Sequence, residues 1–393
     1  MKSVIIILLI TLLFGSGLYS QNAVNVISDE IEKNNTTLSA LRKTVEARKL
    51  GNKTEIYLQN PEIEFSYLWG NPSDIGNRTD LRIMQSFDFP STYSYKNQIS
   101  NLLNQQVELE YLKQQKEILL KAKMVCYDLI YTNVLQNEFA KMLTHAQRIA
   151  ESYQLRFEVG ETGILELNKA KLNQLNLEKE VQSIEIERNT LLSELSRLNG
   201  GQQVFLADTI FAVPDIPVDF EQWYLVSEES NPILKWLKRE VEISMKRIEL
   251  NRASSLPGFQ AGYMSESIVN QQYNGVSAGI SVPLWQNRNK VRYAKANSAA
   301  LESVVIDSKL QFYQNLKSLH AKALALQESV DDYRVRLLSL NNIVLLNKAL
   351  DKGEISLIDY ILEQSIYYES VVRMLELERD MNKAIAELNQ FIR

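Results

Sequence analysis

Few side chains in this sequence are suited to covalent or metal chemistry. It has one cysteine, Cys126, and two histidines, His145 and His320. A disulfide framework, or a metal site built from several thiolates or imidazoles, needs more soft ligands than that. Cys126 sits in the apolar helical stretch Val125 to Ile130, the setting of a core residue. Neither histidine has an acidic partner at ligand spacing, and Asp331-Asp332 reads as a solvated helix face. The sequence contains no phosphate-cradling glycine loop, no nucleophile elbow and no HExxH motif, so nothing in it supports an ATPase or hydrolase. The expectation is a protein that is not an enzyme, with no cofactor and no resident metal, driven by energy from a partner.

Composition points to long helices. The chain has 43 Lys and Arg against 48 Asp and Glu, a formal net charge of −5, which lacks the basic excess of a nucleic-acid binder. With 45% hydrophobic and 23% charged residues it is neither disordered nor a bundle of membrane helices. Only 14 Gly and 8 Pro punctuate the sequence, while Leu, Glu, Asn, Lys and Gln fill long uninterrupted stretches.

The first segment predicts export. Lys2 precedes the apolar run Val4 to Phe14, then Gly15, Ser16, Gly17 and a Tyr19-Ser20-Gln21 junction, the order of a secretory signal peptide over 1–20 with the mature chain starting near Gln21. The apolar run is short for a membrane span. Cys126 lies far from the junction, so no lipidated N-terminal cysteine is expected. No apolar run of about 18 residues follows Phe14, which leaves a β-barrel as the only spanning structure.

Two copies of one pattern fill the mature chain. Pro90 closes an alternating segment, Leu81 to Phe89, and Pro283 closes Val276 to Val282, 193 residues later. Gly160-Glu161 opens Ile164 to Leu167, and Gly353-Glu354 opens Leu357 to Tyr360, again 193 residues later. Each half reads helix, strand, strand, long helix, Gly turn, helix. The predicted division is a first repeat over 21–199, a linker over 200–218 and a second repeat over 219–393. Gly200-Gly201, Pro214 and Pro217 break the pattern between the halves. The strand hairpins fall at about 62–89 and 258–283, and the helical hairpins at 91–199 and 286–392.

The strands alternate cleanly. Ile63, Phe65, Tyr67 and Trp69 interleave with Glu62, Glu64 and Ser66, while Leu81, Ile83, Phe87 and Phe89 interleave with Asp80, Arg82, Ser86 and Asp88. Phe259, Ala261 and Tyr263, then Val276, Ala278, Ile280 and Val282, repeat the pattern in the second half. One face suits lipid and the other water. Between Ser91 and Val159 there is no Pro or Gly, and at 1.5 Å per residue that helix would run roughly 100 Å. Asn287 to Lys352 is its twin. Leu102, Leu109, Leu112, Leu119, Val125 and Leu129 recur at coiled-coil spacing and should pack against neighbours. Four strands cannot close a barrel, so several chains must pool theirs; two copies or three both satisfy the strand count.

The pattern as a whole resembles the TolC family of outer-membrane efflux and secretion ducts, over essentially the whole mature chain. The local carriers are Phe157 to Leu167, which resembles the family's helix-tip turn, and Leu350 to Asp359, which resembles its second copy. Pro257-Gly258-Phe259 and Ser281 to Trp285 resemble the bounds of the second strand hairpin. The resemblance implies a mainly α protein with membrane β: a homotrimer whose four strands per chain build a 12-stranded outer-membrane barrel, continued by a periplasmic α-helical barrel. It implies, as partners, a periplasmic adaptor protein, an inner-membrane pump of RND or ABC type, and outer-membrane lipid.

The resemblance also assigns sites. Val159, Gly160, Glu161, Thr162 and Gly163, with Lys352, Gly353, Glu354, Ile355 and Ser356, would be adaptor-contact tips, although a helix C-cap calls for Gly whatever it touches. Asp359 matches the first of the family's pore-gate carboxylates. Three copies would ring one axis and attract cations. Leu362 holds the second gate position with Glu363 beside it; Glu166 is the matching acid of the first repeat. Leu350 and Ile355 replace a gate-locking Tyr and Arg, so a closed state held by apolar packing is expected. The function implied is passive conduction of small molecules or metal ions in tripartite efflux. A type I protein-secretion duct shares this fold, and a pore-free periplasmic coiled-coil scaffold is the reading from another class.

Overall fold

The computed structural model describes residues 23–212 and 215–392. The expected leader over 1–20, the junction at Gln21 and the linker break at Pro214 lie outside them. The chain opens with helix α1 (23–34) and α2 (Thr36–Gly51), followed by strands β1 (Glu62–Leu68) and β2 (Arg78–Phe87). Helix α3 (Pro90–Glu158) turns into α4 (Ile164–Leu198). The second half repeats the order with α5 (Phe220–Ser230), α6 (Pro232–Ala253), β3 (Gly258–Ile268), β4 (Gln271–Ser281), α7 (Lys290–Leu340), α8 (Ile343–Asp351) and α9 (Leu357–Leu388). Pro90 and Pro232 start helices, where a missing N–H costs nothing. Asn35 and Asn231 cap α2 and α6 at matching places in the two halves: their side-chain oxygens accept from the N–H of Leu38 and of Ile233.

The elements sort into two compact units. One contains Ala40–Lys113 and Asn231–Gln311. It contains an antiparallel sheet in the order β1-β2-β3-β4, leaving β1 and β4 as edges. Around the helices of this unit, polar side chains link α2, the start of α3 and α6. Arg42 donates to the Tyr111 hydroxyl at 2.8 Å, Trp236 Nε1 donates to Glu110 at 3.0 Å, and Gln106 donates to Glu240 at 2.8 Å.

Of the described residues, the other unit gathers 23–39, 114–212, 215–230 and 312–392. Its apolar layers recur along the helices, as expected for long helices that bury one stripe at a time. α1 packs on Ala122, Val125, Cys126, Leu129 and Ile130 of α3 and on Leu191, Leu195 and Leu198 of α4. Burial pushes the Cys126 thiol up to about 12, which keeps it protonated and unreactive. A second layer joins Tyr224, Leu316 and Leu388, with Phe220 and Trp223 against it. Between α3 and α9, Asp128 accepts from Lys383 at 2.7 Å.

Two features depart from the sequence reading. The predicted apolar stripe of α3 buries Val125 and Leu129, but Leu112 is 41% exposed. The twin of α3 is also not continuous. It ends at Leu340 and restarts at Ile343, whose N–H donates to Asn341 Oδ1 at 3.3 Å. Asparagine side chains compete for helix-terminal N–H groups in this way, which makes the Asn341-Asn342 pair a natural break.

Candidate functional site

The sheet comes first, because its register decides which side chains share a face. Residues directly opposite in a ladder lie on the same face. Ile63 faces Ile83, which faces Tyr263, which faces Val276; Phe87, Phe259 and Ile280 form another such row. Phe65, Leu81, Ala261 and Ala278 belong to this apolar face. It is uncovered in the single chain: Val276 is 92% exposed, and Ile63, Phe65 and Ile280 are exposed too. Trp69 lies just past β1, edge-on to Tyr67 at a centroid distance of 5.4 Å, and Trp285 lies just past β4 at the opposite end of the strands. An apolar band bounded by aromatic residues is what a lipid-facing strand surface requires.

The other face is charged. Glu64 stands opposite Arg82, and Asp80 opposite Glu266. Arg78 reaches Asp80 at 2.9 Å and Glu266 at 3.2 Å, and Arg82 reaches Glu64 at 3.3 Å. The sequence pattern shows the polar character of Asp80 and Arg82. It did not reveal the roles of Arg78 and Glu266, which emerge only once β2 and β3 are paired in register.

The two helix turns are near-copies. At the end of α3, the N–H of Glu161 donates to the Arg156 carbonyl at 2.8 Å and that of Gly160 to the Phe157 carbonyl at 3.1 Å. At the end of α8, Glu354 donates to Ala349 at 2.8 Å and Gly353 to Leu350 at 3.0 Å, each pair shifted by 193 residues. Gly160 has φ +78° and Gly353 φ +71°, the left-handed C-cap that lets the chain reverse. Val159, Glu161, Gly163, Lys352, Glu354 and Ser356 are exposed, whereas Thr162 and Ile355 are half-buried.

The turns differ in how the next helix starts. Gly163 caps α4 with extended backbone and no side-chain bond. Ser356 caps α9: its Oγ accepts from the Asp359 N–H at 3.2 Å and donates to Asp359 Oδ2 at 2.6 Å. The expected gate residue Asp359 is therefore exposed, at the mouth of α9, with its carboxylate held by its own helix cap. Glu363 is exposed one helical turn further on. Glu166 is half-buried on α4 and accepts from Lys169 at 2.8 Å; among the described residues no hydrogen bond joins it to Asp359 or Glu363.

Beneath the second turn lies an arrangement the sequence reading missed. Tyr360 is 1% exposed, packed with Leu350, Leu357, Ala150 and Ala170. Its hydroxyl donates to Asn347 Oδ1 of α8 at 2.8 Å and accepts from Gln364 Nε2 at 3.3 Å. Burial, with Tyr368 and Asp351 nearby, pushes this phenol up to about 12, so it remains a donor. Leu350 and Leu357 are buried beside it, and the Tyr360 to Asn347 bond ties α8 to α9 as well. The available signal was Asn347, a polar residue at helical spacing from Ile343, Leu346 and Leu350.

No protein-family model matches the sequence, and no curated protein matches it either. Solved structures do match the fold. The CmeC outer membrane channel of Campylobacter jejuni superposes with a TM-score of 0.77 at 14% identity, over 94% of this chain and 85% of that one. CusC, a protein that forms a transmembrane channel, gives 0.78 at 14% identity over 94% and 91%. The outer membrane protein VceC of Vibrio cholerae gives 0.72 at 11% identity over 94% of each chain. The chain has the fold of these channel proteins, the TolC-like fold: mainly helical, with one small antiparallel sheet.

Proposed function

We propose that the protein is the outer-membrane exit duct of a tripartite efflux system. Three copies pool their sheets into a 12-stranded barrel and their long helices into a periplasmic α-barrel. Small molecules or metal ions pass through it from an inner-membrane pump by way of a periplasmic adaptor. The observation that carries this reading is the sheet: one exposed apolar face bounded by tryptophans, one charged face, and two open edges, β1 and β4. Open edges are not tolerated in hydrocarbon, so a sheet with such an outer face must close by pairing with further copies. The CmeC and CusC likeness supports the channel, and the resemblance supplies the adaptor and the pump.

In this duct the turns Val159–Gly163 and Lys352–Ser356 are the adaptor-contact tips. Bare backbone at Gly160, Gly163 and Gly353, with open space where a Cβ would stand, permits close approach of a partner helix. Asp359 and Glu363, with Glu166, form the pore gate, which acts on ions by charge rather than on bonds.

The test is single-channel conductance of the purified protein in planar bilayers, with Asp359→Ala beside the parent. Discrete cation-selective openings altered by the substitution are expected. Channels indifferent to Asp359→Ala would keep the duct and move the gate; a protein that is soluble without detergent and never conducts would leave a pore-free scaffold.

A further inference from the structure

The charges on the polar face of the sheet stand in adjoining cross-strand rows. Ser66, Asp80, Glu266 and Tyr273 face one another across all four strands, and the neighbouring row is Glu64, Arg82, Met264 and Gly275. Arg78, on the turn side of these rows, bridges Asp80 and Glu266. Toward the helix end the face carries fewer charges: Met84, Gly262 and Ser277 share a row with Glu62, and Ser86, Gln260 and Gly279 form the next. The face as a whole sets Glu62, Glu64, Asp80 and Glu266 against Arg78 and Arg82, so carboxylates remain in excess after every guanidinium is matched. Arg78 is itself shared between two acids and neutralises only one.

The geometry points to a second determinant of ion selectivity, in the barrel itself: the row of Asp80 and Glu266, with Glu64 beside it, is a ring of excess negative charge that favours cations and cationic cargo, its strength set by Arg78 and Arg82. The inference rests on the duct reading, because only a closed barrel turns this face into a lumen. Apolar side chains and lipid behind the ring form a low-dielectric wall, which concentrates the field in the water-filled space instead of dissipating it. A ring of like charge then enriches counter-ions over co-ions without any tight site, as conduction requires. The ring is distinct from the tip carboxylates, since it belongs to the sheet and would act when the tips are open.

The experiment measures the cation-to-anion permeability ratio from reversal potentials across planar bilayers under a KCl gradient. At roughly 0.1 M salt, Asp80→Asn combined with Glu266→Gln should lower the ratio about threefold, and Arg78→Gln should raise it by a similar factor. Both changes should shrink near 1 M salt, where the Debye length falls to about 3 Å. Each variant predicts its own sign, so either one alone decides the matter if the other does not assemble. Conducting variants with an unchanged ratio, or acid and base variants that shift it the same way, would overturn the ring and leave the duct standing. A parent protein that forms no channels would overturn the duct and the ring together.

Discussion

At Gly353 the chain leaves α8 with φ +71°, and nothing lies within 4 Å of the point where a Cβ would sit. An alanine there meets no neighbour, so its whole effect is the backbone cost of the left-handed region, about 1 kcal/mol. Gly353→Ala should therefore loosen the turn without touching the packing below it. The Glu354 amide, bonded to the Ala349 carbonyl, reports this directly; its hydrogen exchange should speed up about fivefold, the factor that 1 kcal/mol implies. Unchanged exchange would show that the turn is held by something other than its C-cap. Both glycines were legible in the sequence, because a lone Gly ending a long Gly-free helix has one main use and the 193-residue offset repeats it. The Tyr360 to Asn347 bond was not. A tyrosine in an apolar helical run does not reveal which polar residue across a turn will take its hydroxyl, and only the folded hairpin supplies that pairing.

Helix starts and stops follow the same logic one level up. The first turns of α4 and α9 occupy equivalent places in the repeat, yet α9 has a serine cap and α4 has Gly163, whose φ of −86° and ψ of 161° suit any residue. Gly163→Ser transplants the Ser356 arrangement onto α4, where a Cβ meets nothing within 4 Å. It adds a capping bond, worth a few tenths of a kcal/mol beyond glycine, and removes the glycine's freedom in the unfolded chain, worth about 0.4–1 kcal/mol. Amide exchange in the first turn of α4 should slow by about fivefold; no slowing would mean the extended geometry at Gly163 does not admit a cap. The strands were legible because a period of two survives any moderate twist. The helical stripe was legible only in part. Leu112 has the right spacing and yet is exposed in the single chain, although Leu109 and Leu119 on either side of it are half-buried, so spacing alone does not say which apolar position one chain covers by itself. The Asn341-Asn342 break was invisible for a different reason. Asparagine is tolerated within helices, and the equivalent positions of the first repeat, Arg148 and Ile149, continue without interruption.

Assembly turns the sheet's two faces into opposite environments, and adjacent residues of one strand can test this. Val276 and Gly275 are neighbours on β4, pointing to the apolar and the polar face respectively. In a lone sheet surrounded by water, both positions are open, with Val276 almost fully exposed and nothing within 4 Å of a Cβ at Gly275, so a charge at either would be tolerated. In a lipid-embedded barrel they diverge. A lysine or arginine on the lipid side near mid-bilayer costs about 2–4 kcal/mol, whereas one on the lumen side stays hydrated. Because each copy contributes the same residue, the penalty recurs in every subunit of the assembled barrel. Val276→Arg should therefore reduce the yield of membrane-inserted, detergent-extracted oligomer at least tenfold, while Gly275→Lys should insert nearly as the parent does. Equal insertion of both variants would mean that the apolar face does not meet lipid, and the exposed valine, isoleucines and tryptophans of the sheet would then have to be covered by protein.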